Sequence, residues 1–358
     1  MKMITFSKVK LIFLFTNVNR HQSLPLMEIK RIEVKYNDII YALNKEEKTS
    51  SIIDGRAAKG EIMIPLEIIY ENEKYPVTRI CANSFNKTTY LDSIDFPTDS
   101  QLQVIEKGSF KYSRIRYIYI PSSVGELIDG WCKETPDLNE FEVESTNNKY
   151  FNYEDNFILT KSDMKSDIYD TLVFSRRDIK TIEIPSFIKI IGPYSFEHCV
   201  LNEVTFPDNS ELEKIEKKAF RLTSFTKINI PSHVTFIGNN SFAETQLNEI
   251  NFCENSELQI IDKKAFSNSS LTSIKIPKSV EELRDGWCHD LEDLYSCEII
   301  PISKRFSNYG DKIVVGKSDP KSDIYDTIVF ACRDIEKVKI PAYIKFIAPY
   351  AFDKCTEL

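Results

Sequence analysis

One apolar phrase recurs along this chain, and its recurrence limits what the chain can fold into. The phrase is an apolar residue followed five positions later by Phe. It reads ICANSF from Ile80, IEKGSF from Ile105, IGPYSF from Ile191, IEKKAF from Ile215, IGNNSF from Ile237, IDKKAF from Ile261 and IAPYAF from Ile347. Two variants, LIDGWC from Leu127 and LRDGWC from Leu283, place Cys where Phe belongs. Successive steps are 25, 22, 64, 24, 22, 24, 22 and 64 residues. A period of this length marks stacked repeats rather than one central core.

A second phrase precedes the first in each unit. It reads YLDSIDFP (90–97), RIRYIYIP (114–121), LNEVTFP (201–207), FTKINIP (225–231) and LTSIKIP (271–277). The pattern is apolar-x-x-apolar-x-apolar-Pro. Alternation rich in Ile and Phe predicts a short strand with one buried face. Proline has no amide for a ladder, so it ends the strand. A unit therefore runs strand, proline, bend, second apolar stretch and tight turn. Alone it leaves an apolar flank open; stacked units cover one another.

A larger repeat overlies the small one. Residues 120–199 align with 276–355 at a constant offset of 156 without a gap, and 40 of the 80 positions are identical. Both copies carry KSDxKSDIYDT[LI]VF inside the 64-residue step. The surrounding segment, NYEDNFILTKSDMKSDIYDTLVF (152–174) in the first copy, reads as strand, polar turn, strand, a hairpin spliced into the array. Residues 28–64 alternate apolar and polar, which predicts a hairpin cap over the first end of the core. The organisation expected is a leader at 1–27, a β-hairpin cap at 28–75 and a repeat array at 76–358. Hairpin insertions fall near 145–178 and 301–334. The chain stops at DKCTEL (353–358) as a new unit is due, so it reads as a fragment or truncated array.

Composition narrows the function. The net charge of −8 and the scattered Lys and Arg argue against nucleic acid, which requires clustered cations. No apolar run reaches the roughly 18 residues of a membrane-spanning helix. The start, MKMITFSKVKLIFLFTNVNR, reads as a leader or weak signal-like segment, with an over-extended start before Met27 as its alternative. Eight cysteines (81, 132, 199, 253, 288, 297, 332 and 355) form no CxxC and several occupy equivalent repeat positions, which suggests small buried side chains.

The phrases LTSIKIPKSV (271–280) and VTFIGNNSF (234–242) resemble the leucine-rich repeats of the BspA-like surface antigens. NKYFNYEDNFIL (148–159) resembles the hairpin seen inside such arrays, and IYENEKYPVTRICANSF (69–85) their entry into the first repeat. The likeness runs from about residue 30 to 358. It implies a leucine-rich repeat horseshoe, a β-rich solenoid with one short parallel strand per 22–24-residue repeat, used for recognition or adhesion and often displayed on a microbial surface. Two departures stand out: no anchor is visible, and the Asn expected at the bend is replaced by Ser123, His233 or Ser279.

Chemistry is sparse. His21, His198, His233 and His289 include no pair at zinc-helix spacing, and neither a phosphate loop nor GxSxG occurs. Cys288 and His289 are neighbours, but adjacent turn residues point apart. Asp163, Asp167 and Asp170, with Asp319, Asp323 and Asp326, offer oxygen ligands for Ca²⁺ but match no EF-hand; ordinary turn chemistry is the competing reading. Asn86, Asn239 and Asn268 begin N-x-[ST] sequons. No catalytic, metal or cofactor residue is assigned. The residue between the last two strand apolars must point away from the core. In order these are Asp95, Tyr119, Glu142, Glu183, Thr205, Asn229, Asn251, Lys275, Glu298 and Lys339, a ladder expected on the concave face. The function expected is non-catalytic binding of a protein or glycan on a host or neighbouring cell, at the cell surface or secreted. Its alternatives are a cytoplasmic scaffold of the same fold and a calcium-stabilised module.

Overall fold

The computed structural model describes residues 32–300 and 303–358, and among them there is no helix. The leader expected at 1–27 lies outside the described residues. The chain divides into two compact units, Met1–Lys149 and Tyr150–Leu358. Each is a β-solenoid whose coils lay parallel strands side by side.

In the second unit the coil 201–222 displays the plan. Leu201 is fully buried, and the strand Glu203–Thr205 follows it. Pro207 and Ser210 form a bend: the Ser210 amide donates to the Pro207 carbonyl (3.0 Å) and the Leu212 amide to the Ser210 hydroxyl (3.4 Å). A second, two-residue strand, Lys214–Ile215, comes next. Two left-handed residues, Lys218 (φ 55) and Leu222 (φ 62), then fold the chain around Phe220. The same pair recurs as Tyr194 and His198, Asn240 and Glu244, and Lys264 and Asn268. Left-handed backbone costs about 1–2 kcal/mol for most side chains, so packing against neighbouring coils must offset it.

That packing is a set of parallel columns. Leu172, Ile191, Ile215, Ile237, Ile261 and Leu283 pair in register, one to the next. The amides of Phe196, Phe220 and Phe242 donate to the carbonyls of Ala219, Ser241 and Ala265 one coil on, each at 2.8 Å. The four rings Phe196, Phe220, Phe242 and Phe266 stack in a row, with centroids 5.1, 5.5 and 5.6 Å apart and interplanar angles of 11°, 9° and 10°. Trp287 ends the row edge-on at 6.2 Å. In that coil Cys288 holds the Phe register, so the indole one residue earlier supplies the missing ring.

Burial depends on the following coil. Ile184 and Ile191 are 0% exposed, whereas their duplicates in the last coil, Ile340 and Ile347, are 45% and 54% exposed. Local sequence is nearly the same; only the covering coil differs.

In the first unit, Ile32–Tyr36, Ile39–Asn44 and Thr49–Asp54 form an antiparallel meander. The third strand then pairs in parallel with Glu73–Ile80, which pairs with Val104–Ile105. The first reversal is Asn37–Asp38 (φ 47 and 62), a two-residue turn that suits these short polar side chains. Phe85 and Phe110 stack at 5.4 Å, and Trp131 closes the row edge-on.

In the second unit the outer strands pair in twos, whereas in the first unit strands 24 residues apart also pair, as Ser93 with Tyr117 and Ile94 with Ile118. In the second unit, coils 22 residues apart keep their pairing, as in Thr181–Glu183 with Glu203–Thr205 and Lys227–Ile230 with Glu249–Phe252. Where the spacing is 24, from Thr205 to Asn229 and from Asn251 to Lys275, the strands belong to separate sheets. The longer coils carry PDNSEL (207–212) or CENSEL (253–258), whose extra residues widen the bend. Shorter coils carry PSFI (185–188) or PSHV (231–234) instead, where the Ile188 and Val234 amides donate directly to the Pro carbonyl.

The insertions differ from the expected single hairpin. Each is a three-strand meander: Tyr150–Tyr153, Phe157–Thr160 and Thr171–Ser175 in the first copy, and Phe306–Tyr309, Ile313–Gly316 and Thr327–Ala331 in the second. The additional reversal in the first copy is at Glu154–Asp155, both left-handed. The KSD loop is pinned by its last Asp. The Asp170 carboxylate accepts from the Ser162 amide (2.8 Å) and hydroxyl (2.7 Å), and Asp326 does the same with Ser318 at 2.8 Å each. Asp163 and Asp319 cap the amides of Lys165 and Lys321 at 2.9 Å. These carboxylates serve separate backbone turns. Each insertion is also followed by a buried cation. Arg177 donates to the Ser195 carbonyl (2.8 Å) and lies over the Phe174 ring; Arg333 donates to the carbonyls of Leu291 (3.0 Å) and Cys288 (3.2 Å) and lies over Phe330. Carbonyl acceptors and a ring face compensate most of the cost of burying each charge, although Arg177 Nε is left without an acceptor.

Two outcomes follow from this packing. Phe220→Ala is expected to lose about 3–5 kcal/mol in denaturant unfolding, while Ile168→Ala, at an exposed loop tip, stays within about 0.5 kcal/mol. A loss under about 1 kcal/mol for Phe220→Ala contradicts the stacked core. Hydrogen bonds from Ser318 hold the Asp326 carboxyl down at about 2, from an ordinary 3.8. A depressed carboxylate stabilises above its unfolded value, and that stability is lost as pH falls from about 4 to about 2. Asp326→Asn is therefore expected to melt lower than the parent at pH 7, with the gap closing by pH 2. An unchanged gap across that range rejects the staple.

Candidate binding face

The strand phrases turn alternate side chains outward, and the outward ones form rows because the strands pair in register. Nine of the ten ladder residues lie in strands. Register places Tyr119 beside Glu142, Glu183 beside Thr205, Asn229 beside Asn251 and Lys275 beside Glu298. Lys339 is exposed but lies outside any strand, so the structure does not bring it into the ladder.

A second outward row runs beside the first: Tyr117 and Glu140, Thr181 and Glu203, Lys227 and Glu249, Ser273 and Ser296. The sequence reading named one outward residue per strand. The period of two that found it also implies the residue two positions earlier.

The two units carry different electrostatics. On the first, Glu61, Asp95, Glu140 and Glu142 surround Tyr117 and Tyr119. Burial and the nearby Glu61 push the Asp95 carboxyl up. Burial, with Asp95 and Glu142 nearby, pushes the Tyr117 hydroxyl up to about 12. Burial and Glu144 do the same for Tyr119, also to about 12. Both tyrosines therefore stay protonated and act as donors within the cluster. On the second unit charges are balanced laterally: Lys227 meets Glu249 at 2.7 Å, and the Asn251 amide donates to Asn229 Oδ1 at 3.0 Å. Where the outer strands part, a groove of about 480 Å³ opens, lined by residues including Asn202, Glu203, Thr205, Thr226, Lys227 and Asn229.

Other sequence candidates go elsewhere. Cys288 is buried and accepts from Arg333, and burial pushes its thiol up to about 12, while His289 turns to Asp353. His289, Asp290 and Asp353 do converge: His289 Nδ1 is 3.0 Å from Asp353 Oδ2, which also accepts the Asp290 amide at 2.9 Å. Lys354 sits 3.6 Å from Asp290 and supplies a cation already. The cluster reads as an ion-pair latch between coils. Among the described residues no disulfide joins the cysteines, and burial raises the thiols of Cys199 and Cys297. Of the sequon residues, Asn268 is exposed, Asn86 and Asn239 are half-buried, and the Asn239 amide donates to the Lys263 carbonyl.

The sequence profile of the BspA type leucine rich repeat region matches six copies, over residues 67–158, 167–292 and 318–358. The chain belongs to the BspA-type leucine-rich repeat family. No curated protein matches it. A leucine-rich repeat protein from Eubacterium ventriosum is similar in structure, with a TM-score of 0.54 at 17% identity, covering 89% of this chain and 93% of that one. A leucine rich cell surface protein from Faecalibacterium prausnitzii has a TM-score of 0.45 at 21% identity, covering 94% and 88%. The pneumococcal vaccine antigen PcpA has a TM-score of 0.41 at 18% identity over 89% of this chain, which spans only 61% of that antigen. For the BspA-type chain the repeat profile and the likeness to the Eubacterium ventriosum protein establish the leucine-rich solenoid. No described helix is long and apolar enough to cross a membrane.

The acidic cluster generates a stability prediction. A carboxyl raised by burial and like charge favours its protonated form; its stabilising contribution is full below the unfolded value of 3.8 and is lost as pH rises through the folded value. Asp95→Asn is expected to melt higher than the parent at pH 7 and equally at pH 3. A variant that melts lower at pH 7 refutes this account of the cluster.

Proposed function

We propose that this BspA-type chain is a non-catalytic recognition protein. It binds a macromolecular partner, a protein or glycan on a host or neighbouring cell, through the ladder face of its outer strands, and it works at the cell surface or after secretion. The observation that carries this reading is the ladder itself. The same outward position, coil after coil, holds a polar residue, while the apolar residues that alternate with it serve the core. Stacked repeats use such extended faces for binding. Each unit carries its own stretch of this face, acidic and tyrosine-bearing on the first and amide-rich on the second. The family and the surface proteins of similar fold support the location.

The second reading is an intracellular scaffold using the same face. Its support is the cysteine inventory: eight thiols, most of them buried and none in a disulfide among the described residues. Antibody labelling of intact and permeabilised cells separates the two, since a surface protein is labelled without permeabilisation. For binding, the labelled protein is incubated with candidate host or neighbouring cells. Combined Tyr119→Ala, Glu142→Ala, Asn229→Ala and Lys275→Ala changes are expected to abolish attachment while leaving the circular dichroism spectrum intact. Attachment undiminished in that variant overturns the ladder as the binding face.

A further inference from the structure

We propose that the groove between Glu203–Thr205 and Lys227–Ile230 is a subsite for a neutral, hydroxyl-rich oligosaccharide. This deepens the recognition reading above and rests on it. The strands Glu203–Thr205 and Lys227–Ile230 belong to separate sheets, and about 480 Å³ opens between them. Its rim combines amides (Asn202, Asn229), hydroxyls (Thr205, Thr226) and one carboxylate, Glu203. Groups of this kind both donate and accept, which is what vicinal sugar hydroxyls require.

Charge selects against ionic ligands. Lys227 is already neutralised by Glu249 at 2.7 Å, so the groove offers no free cation to a phosphate or sulfate. Glu203 alone is too little to hold a basic peptide in water, where an exposed pair contributes at most about 1 kcal/mol. Asn229 is oriented rather than loose: its Oδ1 accepts from Asn251 at 3.0 Å, which leaves its amide hydrogens as donors. An added peptide strand fits less well. It needs an open edge with room for strand spacing of about 4.8 Å on each side, whereas these two strands remain neighbours, each already paired on its far side.

Glu249–Phe252 and Ser273–Pro277 likewise belong to separate sheets.

The test uses the full chain against an array of neutral oligosaccharides, followed by calorimetry with the best hit. Binding is expected, about tenfold weaker for Asn229→Ala and for Asn202→Ala, since each removes a hydrogen bond to the ligand. Ile168→Ala, at an exposed loop tip outside the ladder, is expected to leave it unchanged. Absence of any saccharide binding overturns the subsite, as does binding that ignores both groove variants, or binding confined to charged glycans. If no saccharide binds but cell attachment still depends on the ladder, this proposal fails while the recognition reading stands. If attachment ignores the ladder altogether, the recognition reading fails first.

Discussion

Contact between one coil and the next is the constraint from which everything else in this protein follows. The Phe row expresses it most directly. Each ring lies nearly parallel to its neighbour, and each Phe amide reaches the carbonyl one coil further on. A coil alone holds few apolar groups and bears two left-handed turns that cost energy. Only the next coil offsets that cost. The contrast between Ile191, fully buried, and its open duplicate Ile347 measures the effect within one molecule.

The fold was legible because the constraint is periodic. Ile at the same point of each phrase, Phe five residues on and Pro at each strand end are nearest-neighbour contacts written out in sequence, and they fall in the stacked columns. Asn37–Asp38 left no mark because a left-handed turn of short polar residues adds nothing to an apolar pattern, whereas the Glu154–Asp155 reversal lies in the hairpin that NKYFNYEDNFIL (148–159) resembles. The buried Arg177 and Arg333 escaped for a related reason. Their role depends on carbonyls distant in sequence, which no local spacing announces.

The binding face was half legible. Alternation along a strand separates inside from outside, so Tyr119, Asn229 and Lys275 were found. The second outward row was implied by the same rule but not read. The groove was not readable at all. It lies between two neighbouring strands that do not share a ladder, and only the assembled coils reveal which neighbours pair and which part.

The duplicated block of 156 residues carries its own repair kit. Each copy contains a meander that interrupts the coils, a Ser–Asp staple that pins its loop, and an arginine that quenches nearby turn carbonyls. Because the disturbance and its remedy travel together, recombination can copy or delete the block as a cassette.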